Sequence, residues 1–213
     1  MDQETQFQLT TLASESLRRL RAGNEDYLAA RHAGILYGPD RRESAVAGQR
    51  PFAVVVSCSD SRVPPEPIFS QGLGDLFVIR VAGLVPDRGV LASIEFAVET
   101  LGSPLVLAVG HTRCGAIQAA MEWDPEGDGA PCSDNMRFLL NELRPAVDGL
   151  PSGEEGWRQA VHAGVRHSME RILAGSTFIR GAVRDGRLGI TGAVYHLESG
   201  VVEFQEPAPS AGI

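Results

Sequence analysis

Three short, largely apolar runs constrain the fold of this chain more than any other feature. They cover residues 53–56, 76–81 and 105–109 and are rich in β-branched side chains. Continuous runs of this kind are typical of strands that are buried on both faces of a parallel sheet. Apolar residues recur at helical spacing over 90–101 and again over 115–123. Strands that alternate with helices predict right-handed crossovers and a doubly wound α/β sheet.

The carboxy-terminal half extends this sheet. Helices are predicted over 135–147 and 157–173, and a fourth strand over 188–197. Gly200 turns this strand into residues 201–204, which we expect to form an antiparallel edge strand, because a tight turn cannot make a parallel crossover. The sequence therefore predicts a Rossmann-like α/β sheet of about four parallel strands plus an antiparallel edge strand, with helices on both faces.

The amino-terminal segment differs from the rest. Leucines at helical spacing over 7–30 predict one or two amphipathic helices, and the Gly-, Pro- and charge-rich stretch over 34–49 resembles a linker. We therefore divide the chain into an N-terminal helical arm and linker over 1–48, an α/β domain over 49–206 and a frayed tail over 207–213.

Composition limits the possible partners. The 213 residues carry a net charge of −8, and their basic residues are all arginine. Such a scattered acidic balance argues against binding to nucleic acid or to an anionic membrane surface. Because we find neither a secretory signal nor an apolar run of membrane-spanning length, we expect a cytoplasmic protein. Three cysteines in a chain of this size do not indicate a disulfide framework.

Two of the cysteines and one histidine fall where predicted strands end. Cys58 follows the first run, and His111 and Cys114 follow the third. Because ligands of open α/β sheets bind beyond the carboxyl ends of the strands, we expect these side chains at one rim. Two sulfurs and one imidazole are a good donor set for zinc, and three protein ligands leave one tetrahedral position open. The sequence thus predicts a catalytic zinc site.

Asp60 and Arg62 add a second layer to this predicted site. Asp60 lies two residues after Cys58 and can itself fill the fourth metal position, whereas Arg62 can hold the carboxylate away through a bidentate ion pair. With Asp60 so held, water takes the open position. Zinc then lowers the pKa of this water and presents a hydroxide to an electrophile.

The segments around these residues, 57–63 and 110–116, resemble the signature pair of the β-carbonic anhydrases. The similarity extends to four more segments, residues 21–25, 72–80, 93–98 and 192–195. The resemblance implies one Zn²⁺ per subunit and the reversible hydration of carbon dioxide to bicarbonate and a proton. It also implies a homodimer or a dimer of dimers, with the arm wrapped around a neighbour.

The resemblance also implies particular roles for individual residues. Cys58, His111 and Cys114 match the zinc ligands. Asp60 matches the residue that either closes the zinc site or accepts a hydrogen bond from the hydroxide, and Arg62 matches its partner. Substrate contacts are implied at Gln49, Phe77, Ala82, Phe96 and Gly115.

The chain departs from the family pattern at two places, and one cysteine has no match. Leu84 stands where the family often has asparagine, which removes a polar group near the pocket. Some bacterial members bind regulatory bicarbonate through Trp, Arg and Tyr; Arg80 and Tyr195 match, but Val55 replaces the tryptophan. Cys132 matches no ligand, and we interpret it as incidental.

Two alternative functions stay open on the sequence. The same zinc chemistry serves the hydrolysis of carbonyl sulfide or carbon disulfide, which are similar linear electrophiles. A non-catalytic, zinc-holding sensor of bicarbonate or pH is the other alternative, and Leu84 favours it. The sequence names no proton carrier, because it gives no distances. We interpret His162 and His167 as part of a solvated helix face, since their spacing of five does not stack them. We interpret Asp87 as a helix cap.

Overall fold

The computed structural model describes residues 9–31, 37–124 and 133–206. The helices in these ranges are α1 (Thr11–Leu28), α2 (Pro39–Ala45), α3 (Pro65–Ile68), α4 (Arg88–Glu99), α5 (Gly115–Glu122), α6 (Asp134–Val147), α7 (Glu154–Gly175) and α8 (Thr177–Arg184). The strands are β1 (Ala53–Ser57), β2 (Leu76–Arg80), β3 (Leu105–His111), β4 (Gly189–Tyr195) and β5 (Val202–Phe204).

The five strands form one sheet in the order β2-β1-β3-β4-β5. Neighbours among β1 to β4 pair in parallel, whereas β5 runs antiparallel to β4, with Phe204 opposite Ala193. This topology confirms the predicted Rossmann-like α/β sheet and its edge strand. β1 and β3 are buried along their whole length, which is why their sequences are almost continuously apolar.

Helices pack closely on both faces of the sheet, as predicted. A Cβ atom at Gly192 in β4 would lie 2.5 Å from Cγ1 of Val165 in α7. Gly189 lies three positions earlier, on the opposite face of the same strand. A Cβ atom there would lie 2.8 Å from the Cβ of Ala13 in α1. The two glycines therefore let α7 and α1 approach β4 from opposite sides.

The described part of the predicted helical stretch over 7–30 forms one helix, α1, and a buried asparagine ties it to the rest of the chain. The side-chain nitrogen of Asn24 donates to the carbonyls of Ile68 (3.1 Å) and Gly200 (3.0 Å). Its side-chain oxygen accepts from the backbone N–H of Val202 (3.0 Å). Asn24 thus joins α1 to α3, to the β4–β5 turn and to β5. The division of the chain at residue 48 stays a prediction.

The structure adds helices that the sequence patterns do not indicate. The predicted linker over 34–49 contains α2, which has a proline at its first position after Gly38 and Asp40 in its first turn. Two other helices, α3 and α8, lie in stretches where the sequence predicts neither a helix nor a strand. The hydroxyl of Ser176 caps α8 by accepting from the N–H of Ile179 (3.0 Å).

The remaining elements agree with the prediction apart from their ends. β3 continues two residues beyond the predicted run, to His111. Asp87 caps α4, as predicted, by accepting from the N–H of Val90 (2.9 Å). The predicted tail, 207–213, and Cys132 lie outside the described residues. Within those residues, no helix is both long enough and apolar enough to cross a membrane.

We expect Asn24→Ala to destabilise the fold by roughly 3 kcal/mol, because each buried polar group left without a partner costs about 1–3 kcal/mol. Two carbonyls and one N–H lose their partner in this variant. Denaturant unfolding followed by circular dichroism measures the loss. Glu25→Ala, at an exposed position of the same helix, is the control and should stay near the wild type. Equal midpoints for the two variants would contradict the anchoring of α1 by Asn24.

Candidate metal centre

Three potential metal ligands meet at the carboxyl ends of β1 and β3. Cys58 directly follows β1, His111 is the last residue of β3, and Cys114 is the N-cap of α5. One donor atom from each lies within 4.8 Å of the other two, and all three residues are buried. The predicted convergence of these side chains at one rim is confirmed.

The hydrogen bonds of His111 leave one ring nitrogen free to bind a metal. Its Nδ1 lies 2.8 Å from the carbonyl oxygen of Thr112. Because a carbonyl only accepts, Nδ1 carries the proton and donates, so Nε2 has a free lone pair. Nε2 is buried and has no hydrogen-bond partner. A buried acceptor without a partner costs free energy that a bound metal ion recovers.

A hydrogen bond between Cys114 and Cys58 shifts the pKa values of both thiols. The Cys114 thiol, by hydrogen bonding to the Cys58 sulfur, is the main cause that lowers the pKa of Cys58 to about 4. The neighbouring backbone N–H groups of Asp60 and Gly83 lower this pKa further. The same hydrogen bond, together with burial, raises the pKa of Cys114. One thiolate therefore exists before a metal binds, and metal binding would release the second proton.

The donor set fits a zinc ion. Thiolate sulfur and neutral imidazole nitrogen are the ligands that zinc prefers in proteins. The unpartnered Nε2 of His111 and the depressed pKa of Cys58 show two of the donors already in the required protonation state. Cys58, His111 and Cys114 would hold the ion.

Asp60 lies at the edge of this group, and Arg62 holds it there. Oδ1 of Asp60 accepts from the backbone N–H (3.0 Å) and from Nε (2.9 Å) of Arg62, and Oδ2 accepts from Nη2 (2.6 Å). The arginine holds the pKa of Asp60 well below its usual range. Oδ2 is 4.0 Å from Nε2 of His111. The predicted bidentate pair is thus present, next to the donor atoms.

Arg80 stabilises the loop that carries Cys58 and Asp60, since its guanidinium donates to the backbone carbonyls of both residues. Tyr195 is buried, and its hydroxyl lies 3.2 Å from the hydroxyl of Tyr27. Val55 is fully buried within β1. The residues that match a regulatory bicarbonate site are therefore engaged in contacts within the chain.

The proposed substrate-contact residues differ in exposure. The rings of Phe77 and Phe96 form a tilted pair with centroids 6.3 Å apart, and Phe96 is 48% exposed. Ala82 is half-buried, whereas Gln49 and Gly115 are exposed. Their contact with substrate stays a prediction.

Leu84 occupies a strained backbone position close to the metal centre. It is buried and has a φ of 60°, in the left-handed region that favours glycine and asparagine. Its carbonyl accepts from the hydroxyl of Ser168 in α7 (2.8 Å). This bond helps to hold a conformation that the leucine side chain disfavours.

The interpretation of two histidines as part of a solvated helix face is wrong. His162 and His167 do not lie on a solvated face, because α7 packs between α6 and the sheet and both rings are half-buried. Nδ1 of His162 lies 3.2 Å from Nε2 of Gln205, and Nε2 of His167 lies 3.0 Å from the carbonyl of Glu142. His162 also lines a cavity of about 410 Å³ that Cys114 borders.

A carboxylate that no sequence pattern indicates contacts the loop between β3 and α5. Glu198, in the β4–β5 turn, accepts from the hydroxyl of Thr112 (2.9 Å) and from Nε of Arg113 (2.6 Å). These bonds, above all the one from Arg113, lower the pKa of Glu198 to about 2. No sequence signal indicates this contact, because Glu198 lies 85 residues from Arg113 in a polar turn.

The comparisons with known proteins all indicate the same family. The family model described as "Carbonic anhydrase" matches residues 53–202. Carbonic anhydrase 2 of Mycobacterium tuberculosis is 40% identical over 188 residues, which cover 86% of this chain and 88% of that protein. The carbonic anhydrase of Mycolicibacterium smegmatis is 38% identical over 193 residues, covering 88% and 91% respectively.

Solved structures agree with these relatives. The β-carbonic anhydrase CafA of Aspergillus fumigatus superposes with a TM-score of 0.69 at 27% identity, covering 92% of this chain and 91% of that one. Tetrameric β-carbonic anhydrases of Sordaria macrospora share the fold, with a TM-score of 0.69 at 21% identity and coverage of 92% and 97%. The chain therefore belongs to the carbonic anhydrase family of carbonate dehydratases, in its β class.

Proposed function

We propose that the chain catalyses the reversible hydration of carbon dioxide to bicarbonate and a proton at a zinc ion held by Cys58, His111 and Cys114. One observation carries the proposal: a buried Cys/His/Cys group lies beside a carboxylate that an arginine holds in place. A structural zinc site has four protein ligands, whereas this arrangement offers three and restrains the fourth candidate, Asp60.

A zinc ion held by these residues would supply the Lewis acidity that makes water a nucleophile near neutral pH. Asp60 stays ionised, since Arg62 depresses its pKa. Its Oδ2 uses one lone pair for Nη2 of Arg62 and has another for a proton of the reacting water. The carboxylate thereby orients the water.

Carbon dioxide is linear, uncharged and poorly hydrated, so an apolar surface suits it. We propose that Phe77, Ala82 and Phe96 supply this surface, with Gln49 and Gly115 as further substrate contacts. The ring pair formed by Phe77 and Phe96 supports this assignment, because it places adjoining apolar surface on β2 and α4.

We further propose that the chain forms a homodimer or a dimer of dimers in the cytoplasm. The tetrameric relatives of Sordaria macrospora share the fold. Phe96 is half-exposed and Gln49 is exposed, and a partner subunit would cover both. We also propose that residues 1–48 form an arm that contacts this partner, whereas 49–206 form the zinc-binding catalytic domain.

We expect Cys58→Ala to lose both stoichiometric zinc and carbon dioxide hydration, because the lost thiolate is one of three ligands. Elemental analysis measures the zinc, and stopped-flow hydration from roughly pH 6.5 to 9 covers the range in which zinc-activated water titrates. Ser59→Ala, an exposed neighbour in the same loop, should retain both properties. A fully active Cys58→Ala variant would contradict the assignment. Zinc without hydration in the wild type would favour sulfur-containing substrates or a sensor.

We expect Arg62→Ala to retain zinc but to lose at least about tenfold in hydration activity at neutral pH, because the freed Asp60 carboxylate can then occupy the fourth metal position. The visible spectrum of the cobalt-substituted variant should become insensitive to pH, since the carboxylate excludes water. Arg88→Ala removes another exposed arginine and is the control. Wild-type activity in Arg62→Ala would show that Asp60 needs no such restraint.

We expect the metal-free protein to contain one thiolate from the cysteine pair at neutral pH. The ultraviolet absorbance of thiolate should disappear as the pH falls through about 4, the pKa of Cys58. Because the Cys114 thiol is the main cause of that low value, Cys114→Ala should raise the pKa. Both titrations use a Cys132→Ser background, which removes the third thiol. The same midpoint in both proteins would contradict the hydrogen bond between Cys114 and Cys58.

A further inference from the structure

The loop between β3 and α5, residues 112–114, contacts the carboxylate of Glu198. β3 ends at His111 and α5 begins at Gly115, so three residues make the turn between them. Glu198 holds two of the three: its Oε2 accepts from the hydroxyl of Thr112 (2.9 Å), and its Oε1 accepts from Nε of Arg113 (2.6 Å). Each carboxylate oxygen thus fixes one residue of the turn.

Thr112 is hydrogen-bonded to the end of β4 and to the turn that carries Glu198. Its backbone N–H donates to the carbonyl of Tyr195 (3.0 Å), and its hydroxyl oxygen accepts from the N–H of Leu197 (3.0 Å). With the bond to Glu198, three hydrogen bonds join Thr112 to residues 195–198. These bonds therefore tie the loop to the end of β4 and to the turn that follows it.

Arg113 has a backbone conformation that needs such support. Its φ is 55°, in the left-handed region that is unfavourable for an arginine. This residue immediately precedes Cys114, so its backbone angles decide where the Cys114 sulfur lies relative to His111. A side-chain bond that holds Arg113 in place also holds the spacing of two metal ligands.

The same residue contacts the arginine that restrains Asp60. The carbonyl oxygen of Arg113 accepts from Nη2 of Arg62 (3.3 Å). This Nη2 also donates to Oδ2 of Asp60 (2.6 Å). The Arg113 carbonyl is therefore one of the two acceptors that position Nη2 of Arg62.

We propose that Glu198 is a positioning residue for the metal centre. It acts through Arg113 on Arg62 and so keeps Asp60 paired with Arg62 and away from the fourth metal position. This inference rests on the proposed function. The bond lies on the surface, with the Arg113 and Glu198 side chains 70% and 50% exposed, and exposed ion pairs contribute little to stability. Its effect is therefore on the geometry of the site and much less on unfolding.

The test compares Glu198→Ala and Glu198→Gln with the control Glu155→Ala, which breaks another exposed pair with an arginine, at 2.7 Å from Arg158. The hydration rate of Glu198→Ala should fall about two- to tenfold, the effect of one hydrogen bond on a barrier. Glu198→Gln keeps an acceptor and should recover part of this loss. The pH dependence of the visible spectrum of the cobalt-substituted protein should weaken in Glu198→Ala, since Asp60 then competes with water.

A double-mutant cycle shows whether Glu198 acts through Arg62. If it does, Glu198→Ala changes the rate and the pH dependence of the spectrum much less in an Arg62→Ala background than in the wild type. Equal effects in both backgrounds would overturn the proposal. So would a Glu198→Ala variant with a wild-type cobalt spectrum and pH profile, or one whose only change is a lower melting temperature than that of Glu155→Ala.

The cobalt spectrum separates this proposal from the proposed function. It reports the coordination of the metal whether or not the protein hydrates carbon dioxide. A wild type that binds cobalt but shows no hydration would defeat the proposed function, while a spectral change in Glu198→Ala would still support the positioning by Glu198.

Discussion

The parallel pairing of β1 with β3 is the interaction on which the candidate metal centre depends. Its register places Ser57 opposite Val109, so the chain leaves β1 at Cys58 as β3 continues through Gly110 to His111. A slip of one residue would turn the donor side chains to opposite faces of the sheet. The buried apolar side chains of both strands fix this register, because a slip would disrupt their packing against the helices on both faces of the sheet. The core therefore determines the position of the donors.

Contacts between the buried donors also determine their chemistry. The hydrogen bond from Cys114 lowers the pKa of Cys58, and Nε2 of His111 has no hydrogen-bond partner. A buried acceptor without a partner costs free energy that a divalent cation recovers, so metal binding and folding stability are linked. Asp60 differs, because Arg62 stabilises its charge independently of any metal. The carboxylate can stay ionised at the edge of the site without binding the ion.

The parts of this structure that the sequence predicts are those encoded by local patterns. Continuous apolar runs indicate buried strands, and residues at strand ends meet at one rim, which is enough to bring Cys58, His111 and Cys114 together. The pair of Asp60 with Arg62 is also local. By contrast, the contact of His162 with Gln205 spans 43 residues, and that of Glu198 with Arg113 spans 85. Such contacts follow from tertiary packing, which leaves no periodic signal in the sequence.

Two strained residues near the centre show how these remote contacts contribute. Leu84 and Arg113 both have left-handed backbones, which cost about 1–2 kcal/mol each for residues with a Cβ atom. A distant side chain holds each one: Ser168 in α7 binds the carbonyl of Leu84, and Glu198 binds the side chain of Arg113. The strain therefore persists because the packed helices and the edge of the sheet offset its cost. The geometry of the donors is a property of the whole fold, although the donors themselves lie in two short segments.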